Sequence, residues 1–194
     1  MNATDLLTAF GKQALPRILT QIARDPGTPF YGACDRNWWH YKIRDFSSII
    51  VQQAGYAAWV AADLPLGQDI APALREAAAA AARFWNQRAL LHGAFEEYYP
   101  FEQGYPPVAF STLAMAKLAA EGALPVEDIR PGLAVAAAQL LTRFEAEAAN
   151  QQMAGTAALA MIHRVAPDLV SAADLERVVT RLSLIHISEP TRPR

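Results

Sequence analysis

Apolar positions recur at helical spacing over most of the chain, and the segments they mark are of two alternating kinds. From Thr4, a candidate N-cap, to about Arg24, one stripe holds Leu6, Leu7, Phe10, Ile18, Leu19 and Ile22. The opposite face is wet, and Pro16 is expected to bend the helix. From Ser47 to Ala62, Ile49, Ile50, Val51, Tyr56, Trp59 and Val60 stand among Ala and Gly with no charged side chain. This predicts a helix buried on most sides.

The alternation then repeats. Ile70 to Ala89 is amphipathic, with Ile70, Leu74, Ala78, Ala81, Phe84 and Trp85 on one side and Arg75, Glu76, Arg83 and Arg88 elsewhere; Val108 to Ala120 carries only Lys117 as a charge. Pro131 to Ala148 sets Leu133, Ala137, Leu140, Leu141 and Phe144 opposite Arg143, Glu145 and Glu147, and Gln151 to Val165 is apolar almost throughout. Ser171 caps a last helix from Ala172 to about Arg181, with Leu175, Val178 and Val179 inward.

Amphipathic and buried helices in strict alternation are what two layers of antiparallel helices require, so the chain reads as all-α. An α/α barrel or toroid fits best, with an open helical solenoid or an ordinary bundle as the alternative. The buried helices begin near 47, 108 and 151, which are 61 and 43 residues apart. That spacing implies units of roughly forty residues with one long insertion. Three inner helices make only part of a closed ring, so residues 1–181 are expected to form a partial toroid domain.

The last residues break the pattern. From Leu182 the chain has no helical period and two prolines, and the eleven residues LSLIHISEPTR resemble the translation of a transposon-type sequencing adaptor. Residues 182–194 are therefore expected to be an artefactual or disordered tail that contributes nothing to the fold.

Composition agrees with helices. Ala accounts for 40 of 194 residues, 53% are apolar and 19% charged. A net charge of -2 removes the broad basic surface that sequence-independent nucleic-acid binding needs. The first residues lack a basic start followed by an apolar run, and no window holds some twenty consecutive apolar residues, so no export signal or membrane span is expected and a cytoplasmic location is. A solitary Cys34 has no partner for a disulfide or a CxxC metal motif, and no metal or cofactor is expected.

In a two-layer arrangement the inner helices run parallel, so the segment before each opens on one rim. Those segments are CDRNWWHYKIRDF at 34–46, HGAFEEYYPFEQGYPP at 92–107 and ANQQ at 149–152. Aromatic faces such as Trp38 and Trp39 suit the C–H faces of sugars, while Asp35 and Glu97 suit hydroxyls. Helix N-termini together with Arg36, Lys42 and Arg44 favour an acidic sugar.

The stretches DRNWWHYKIRDFSSIIVQQ, FEEYYPFEQGYPPVAFST and ANQQMAGTAALA, in that order, resemble heparinase II/III-like proteins, and the resemblance spans most of residues 30–165. It is nearest the uncharacterised members linked to bacterial surface polysaccharides. The resemblance implies a helical toroid followed by a β-sandwich that this chain lacks, and an acidic polysaccharide or oligosaccharide as partner. It also implies β-elimination at a uronic acid, in which a base takes the C5 proton, an acid protonates the leaving O4, and amide or cationic groups neutralise the carboxylate. On that basis Asn150 and Gln151 are candidates for holding the carboxylate, and His40, Tyr98 and Tyr99 for moving protons. His92 is a candidate like His40, whereas His163, deep in an apolar helix, reads as structural.

Without the β-sandwich, the 194 residues alone are expected to be inactive. Two further readings remain. Asp35, Asp45, Glu96, Glu97 and Glu102 lie in the rim segments and suit glycoside hydrolysis by two carboxylates, although adjacent Glu96 and Glu97 make a poor opposed pair. An aromatic rim serves a non-catalytic carbohydrate-binding or scaffold domain equally well.

Overall fold

A computed structural model describes residues 3–35, 48–92, 95–97 and 102–188. Among these there are seven α-helices and no β-strand, so the fold is all-α. The helices are α1 (Ala3–Gln21), α2 (Ala54–Ala61), α3 (Ala71–His92), α4 (Tyr105–Ala120), α5 (Arg130–Thr142), α6 (Ala149–Val165) and α7 (Ala172–Ser188). A 3-10 turn at Ile49–Gln53 leads directly into α2. None of the described helices is long and apolar enough to cross a membrane.

The packing follows the charge pattern. The nearly uncharged α2, α4 and α6 lie side by side, in that order, while α3 and α5 pack on each other behind them. The amphipathic α1 lies on α2, and α7 lies on α6. Hydrogen bonds fix the direction of the inner row. Near one end of α4, Glu121 accepts from Tyr56 Oη (2.8 Å) and Trp59 Nε1 (2.9 Å) of α2. At the other end, the Tyr105 ring packs on Gly155 near the start of α6. Hydrogen bonds among the connections entering α2, α4 and α6, Ile49 N–H to Glu96 O and Arg143 Nη1 to Gln103 O, bring the three N-termini to one end.

Alanine and glycine let these helices approach closely. Ala58, Ala78, Ala81, Ala82, Ala136 and Ala158 are completely buried. A Cβ on Gly55 of α2 would sit 2.6 Å from the Cβ of Ala81 on α3, and one on Gly155 of α6 would sit 2.0 Å from Tyr105 Oη. Larger side chains fill the wider gaps. Trp85 and Phe95 stack with centroids 5.1 Å apart, and the indole N–H donates to Ser111 Oγ at 2.9 Å.

Several boundaries differ from the sequence expectation for local reasons. Helix α4 starts at Tyr105 rather than 108, because Pro106 and Pro107 occupy its first turn, where a missing N–H removes no helical hydrogen bond. Helix α5 stops at Thr142 rather than running to Ala148. There the Glu145 carboxylate accepts from the backbone N–H groups of Glu147 and Ala148, and Gln152 Oε1 accepts from Glu145 N–H, so the segment turns into α6. Helix α1 continues through Pro16. Helix α7 is continuous past Arg181 to Ser188, beyond where the pattern placed its end. Its N-terminus is capped as expected, with Ser171 Oγ accepting from Asp174 N–H at 3.1 Å.

Burial departs from the predicted stripes at the periphery. Leu74, Trp85, Leu133, Leu140 and Val178 are buried, but Leu6 and Phe10 of α1 are 56% and 70% exposed, and Ile70 and Val179 are also exposed. A stripe on an outer helix is covered only where a neighbour reaches it. On the flank of α6, Met153 is exposed and Met161 and Val165 are half-buried.

Gln52 locks the segment before α2 to the helical layers. Its side chain is fully buried. The amide donates to Gly32 O (2.6 Å) and Ala81 O (2.9 Å), and its oxygen accepts from Cys34 N–H (3.0 Å). Gly32 adopts φ 87°, a left-handed conformation that suits glycine, and an added Cβ would lie 2.1 Å from the Ala80 carbonyl. Burial pushes the Cys34 thiol pKa upward, which leaves this cysteine a packed apolar group. Replacing Gln52 by Leu strands the buried Cys34 N–H and removes a donor from the Gly32 and Ala81 carbonyls, so Gln52→Leu is expected to lower unfolding free energy by about 3 kcal/mol. Gln53→Leu, which removes only a bond to the Ile50 carbonyl, is expected to cost less than about 1 kcal/mol in the same urea titration.

Candidate functional site

The segments preceding the three inner helices meet at their shared end. Ile49 N–H donates to Glu96 O at 3.1 Å, joining the chain before α2 to the chain after α3. Glu97 N–H donates to Glu102 O at 3.0 Å, which holds together the two sides of the connection leading into α4. Arg143 Nη1 in turn donates to Gln103 O at 3.1 Å, tying the α5–α6 connection to the same place. Six backbone and side-chain groups from three connections are thus gathered by three hydrogen bonds.

Acidic and basic groups are unequally buried there. Glu96 is 5% exposed and meets Arg88 of α3 at 3.3 Å. A pair this buried is expensive to desolvate, and removing one partner would leave an uncompensated charge. The sequence pattern placed Arg88 on the polar side of its helix. It actually continues the buried line Leu74, Ala78, Ala81 and Trp85, and that register was the signal that pointed inward. Glu97 is half-buried, with its carboxylate against Gly104, where an added Cβ would lie 2.4 Å from Oε2. Burial first, and the Glu102 carboxylate second, raise its pKa.

Tyr105 opens α4 and is 7% exposed. Burial pushes its phenol up to about 12; the Gln152 side chain opposes this and the Glu145 carboxylate adds to it. Gln152 itself is 1% exposed. The motif ANQQ pointed to this turn, and its second glutamine is the one the fold buries.

Of the residues assigned to the uronate site, Asp35, Glu97, Asn150 and Gln151 lie among the described residues. Glu97 is in the site as above. Asn150 is exposed and Gln151 half-buried, both in the first turn of α6 at the same end of the inner row. Asp35 is half-buried and its N–H donates to Gln21 O at 3.0 Å, next to the Cys34 that Gln52 holds. Arg36, Trp38, Trp39, His40, Lys42, Arg44, Tyr98 and Tyr99 lie outside the described residues, as does Asp45. His163 Nδ1 is 2.7 Å from Val170 O, a contact that ties the end of α6 to the turn before α7.

Two other features lie apart from Glu96 and Glu97. An apolar groove of about 530 Å³ runs between α1, α2 and α4 past Leu15, Ile18, Tyr56 and Val60. Among the described residues, no group of three or more His, Cys, Asp or Glu side chains could hold a metal ion. No family model, no curated protein and no solved structure matches the chain.

Because the fold raises the Glu97 pKa, it binds that proton more tightly than the unfolded chain does. This contribution to stability is complete below the ordinary carboxylate range and is lost as pH rises through the folded value. Glu97→Gln, which keeps the shape and removes the charge, is therefore expected to stabilise the protein at neutral pH and to change little in acid. Thermal unfolding of both proteins across pH checks this, and a variant less stable at neutral pH would contradict it.

Proposed function

We propose that this chain is the helical part of a heparinase II/III-like, polysaccharide-acting protein, and that the shared end of α2, α4 and α6 receives a uronate-containing polysaccharide. The observation that carries this reading is the convergence of the three connections: Ile49 on Glu96, Glu97 on Glu102, and Arg143 on Gln103. Those connections continue into the motifs that resemble the family. In the toroid reading, the two rows of helices are an arc of a closed ring.

The chemistry follows from the groups the motifs supply. A uronate carboxylate is held by Arg36, Lys42 and Arg44, with Asn150 and Gln151 as amide donors, while Trp38 and Trp39 stack on sugar faces. Neutralising the carboxylate acidifies the C5 proton. His40, Tyr98 or Tyr99 then takes that proton and another of them protonates the leaving O4. Asp35 and Glu97 bind hydroxyls in this scheme.

A second reading, glycoside hydrolysis, is favoured by one observation. Burial and the Glu102 carboxylate raise the Glu97 pKa, the direction a general acid requires.

Elimination also needs groups from the β-sandwich that the resemblance implies, so recognition is the property expected of these 194 residues. In affinity electrophoresis, a gel containing a polyuronate should retard the chain, and one containing a neutral glucan should not. The same polymer incubated with a form of the protein extended through a β-sandwich should gain the ultraviolet absorbance of a C4–C5 double bond. New reducing ends without that absorbance would replace elimination by hydrolysis. Retardation with neither product would leave a binding domain, and equal migration in both gels would overturn the reading.

A further inference from the structure

A second concentration of cationic groups lies between the outer and inner rows. Helices α5, α6 and α7 enclose a cleft of about 200 Å³, and three of its lining residues are Arg143, Arg177 and Arg181. They come from the end of α5 and from two successive turns of α7, so three arginines border one small cleft. We propose that this cleft is an oxyanion-binding site, taking a carboxylate, sulfate or phosphate group on Arg143, Arg177 and Arg181.

Three observations support the assignment. The first is the balance of charge. Arg177 Nη2 meets Asp174 Oδ1 at 2.8 Å, but among the described residues no carboxylate forms an ion pair with Arg143 or Arg181. Arg143 spends one N–H on the Gln103 carbonyl, a neutral acceptor. Like charges in one cleft repel, and an anion between them removes that repulsion.

The second is orientation. The Arg181 guanidinium carbon lies 3.8 Å from the centroid of the Phe144 ring, a cation–π contact that holds the group at the cleft. A guanidinium presents parallel donors that match the two oxygens of a carboxylate or phosphate.

The third is the wall. Leu140 and Val178 are 1% and 7% exposed, and Gln152 beside them is a buried amide. Leu140 and Val178 give the cleft an apolar floor beneath the solvent-exposed Arg177 and Arg181. A cleft of about 200 Å³ has room for one oxyanion and the edge of the molecule that carries it.

The site shares Arg143 with the end described above, but it does not depend on the polysaccharide reading. It takes any molecule that presents a single oxyanion. The test uses the full chain and isothermal titration calorimetry, with inorganic phosphate as the probe and chloride at matched ionic strength as the reference. Saturable one-site binding of phosphate is expected. Arg181→Gln should weaken it about tenfold, the loss typical of one charge-assisted hydrogen-bonding group, and Arg181→Lys should retain part of it. Arg164→Gln, an exposed arginine of α6 that does not line the cleft, should leave binding unchanged.

Circular dichroism shows whether Arg181→Gln folds; if it does not, Arg143→Gln and Arg177→Gln provide the same comparison. Glucuronate that displaces phosphate would identify an acidic sugar as a source of the oxyanion. Glucuronate that fails to displace it would identify a phosphate carrier, and either result supports the site. Heats equal to those of chloride, or affinity unchanged in all folded arginine variants, would overturn it.

Discussion

The architecture rests on how closely the helices approach one another. Gly55 of α2 faces Ala81 of α3, and Gly155 of α6 faces the Tyr105 ring of α4, in each case with no room for a methyl group. Fully buried alanines line the same contacts. Short interaxial distances let two rows of helices share a thin core, and they bring the inner N-termini near enough for their connections to bond directly. Because alanine buries little area, each contact contributes modestly. The arrangement therefore relies on many such contacts and on a few fully satisfied polar groups, of which Gln52 is the clearest.

Close approach also shapes the polar end. With the helices this near, a charged side chain on an inward register meets little solvent, and the half-buried Arg88 pairs with the buried Glu96. The same crowding sets Tyr105 against Gly155 and pushes Glu97 onto Gly104. Raised proton affinity at Glu97 and Tyr105 follows from packing first and from neighbouring charge second.

Much of the fold was legible because helix burial is written in charge. The segments with few charges at 54–61, 105–120 and 149–165 became the inner row and the amphipathic α3 lies behind it, whereas the charged face predicted for α5 falls beyond its end at Thr142. The Ser171 cap was legible for the same local reason. What escaped were features decided by tertiary context. Phe10 looked like core but extends beyond its neighbours, and Arg88 looked exposed but pairs with a residue eight positions away. The end of α5 was hidden because Phe144 to Ala148 has helical composition, while the Glu145 carboxylate stabilises a turn instead. At the polar end, the motifs located the connections. Arg143 and Gln152 gained their roles only from contacts that no local pattern encodes.

The central claim is tested most directly by the unfolding free energy of Gly55→Ala. The position follows the 3-10 turn at Ile49–Gln53 and lies within continuous helical backbone, so helix propensity alone predicts a gain of about 1 kcal/mol. Close packing predicts the opposite sign, because the new methyl would meet the Ala81 Cβ, which has no rotamer to yield, and overpacking of this kind costs about 1–3 kcal/mol. A net loss of stability in urea denaturation is the expected result. A variant as stable as the parent, or more stable, would contradict the account.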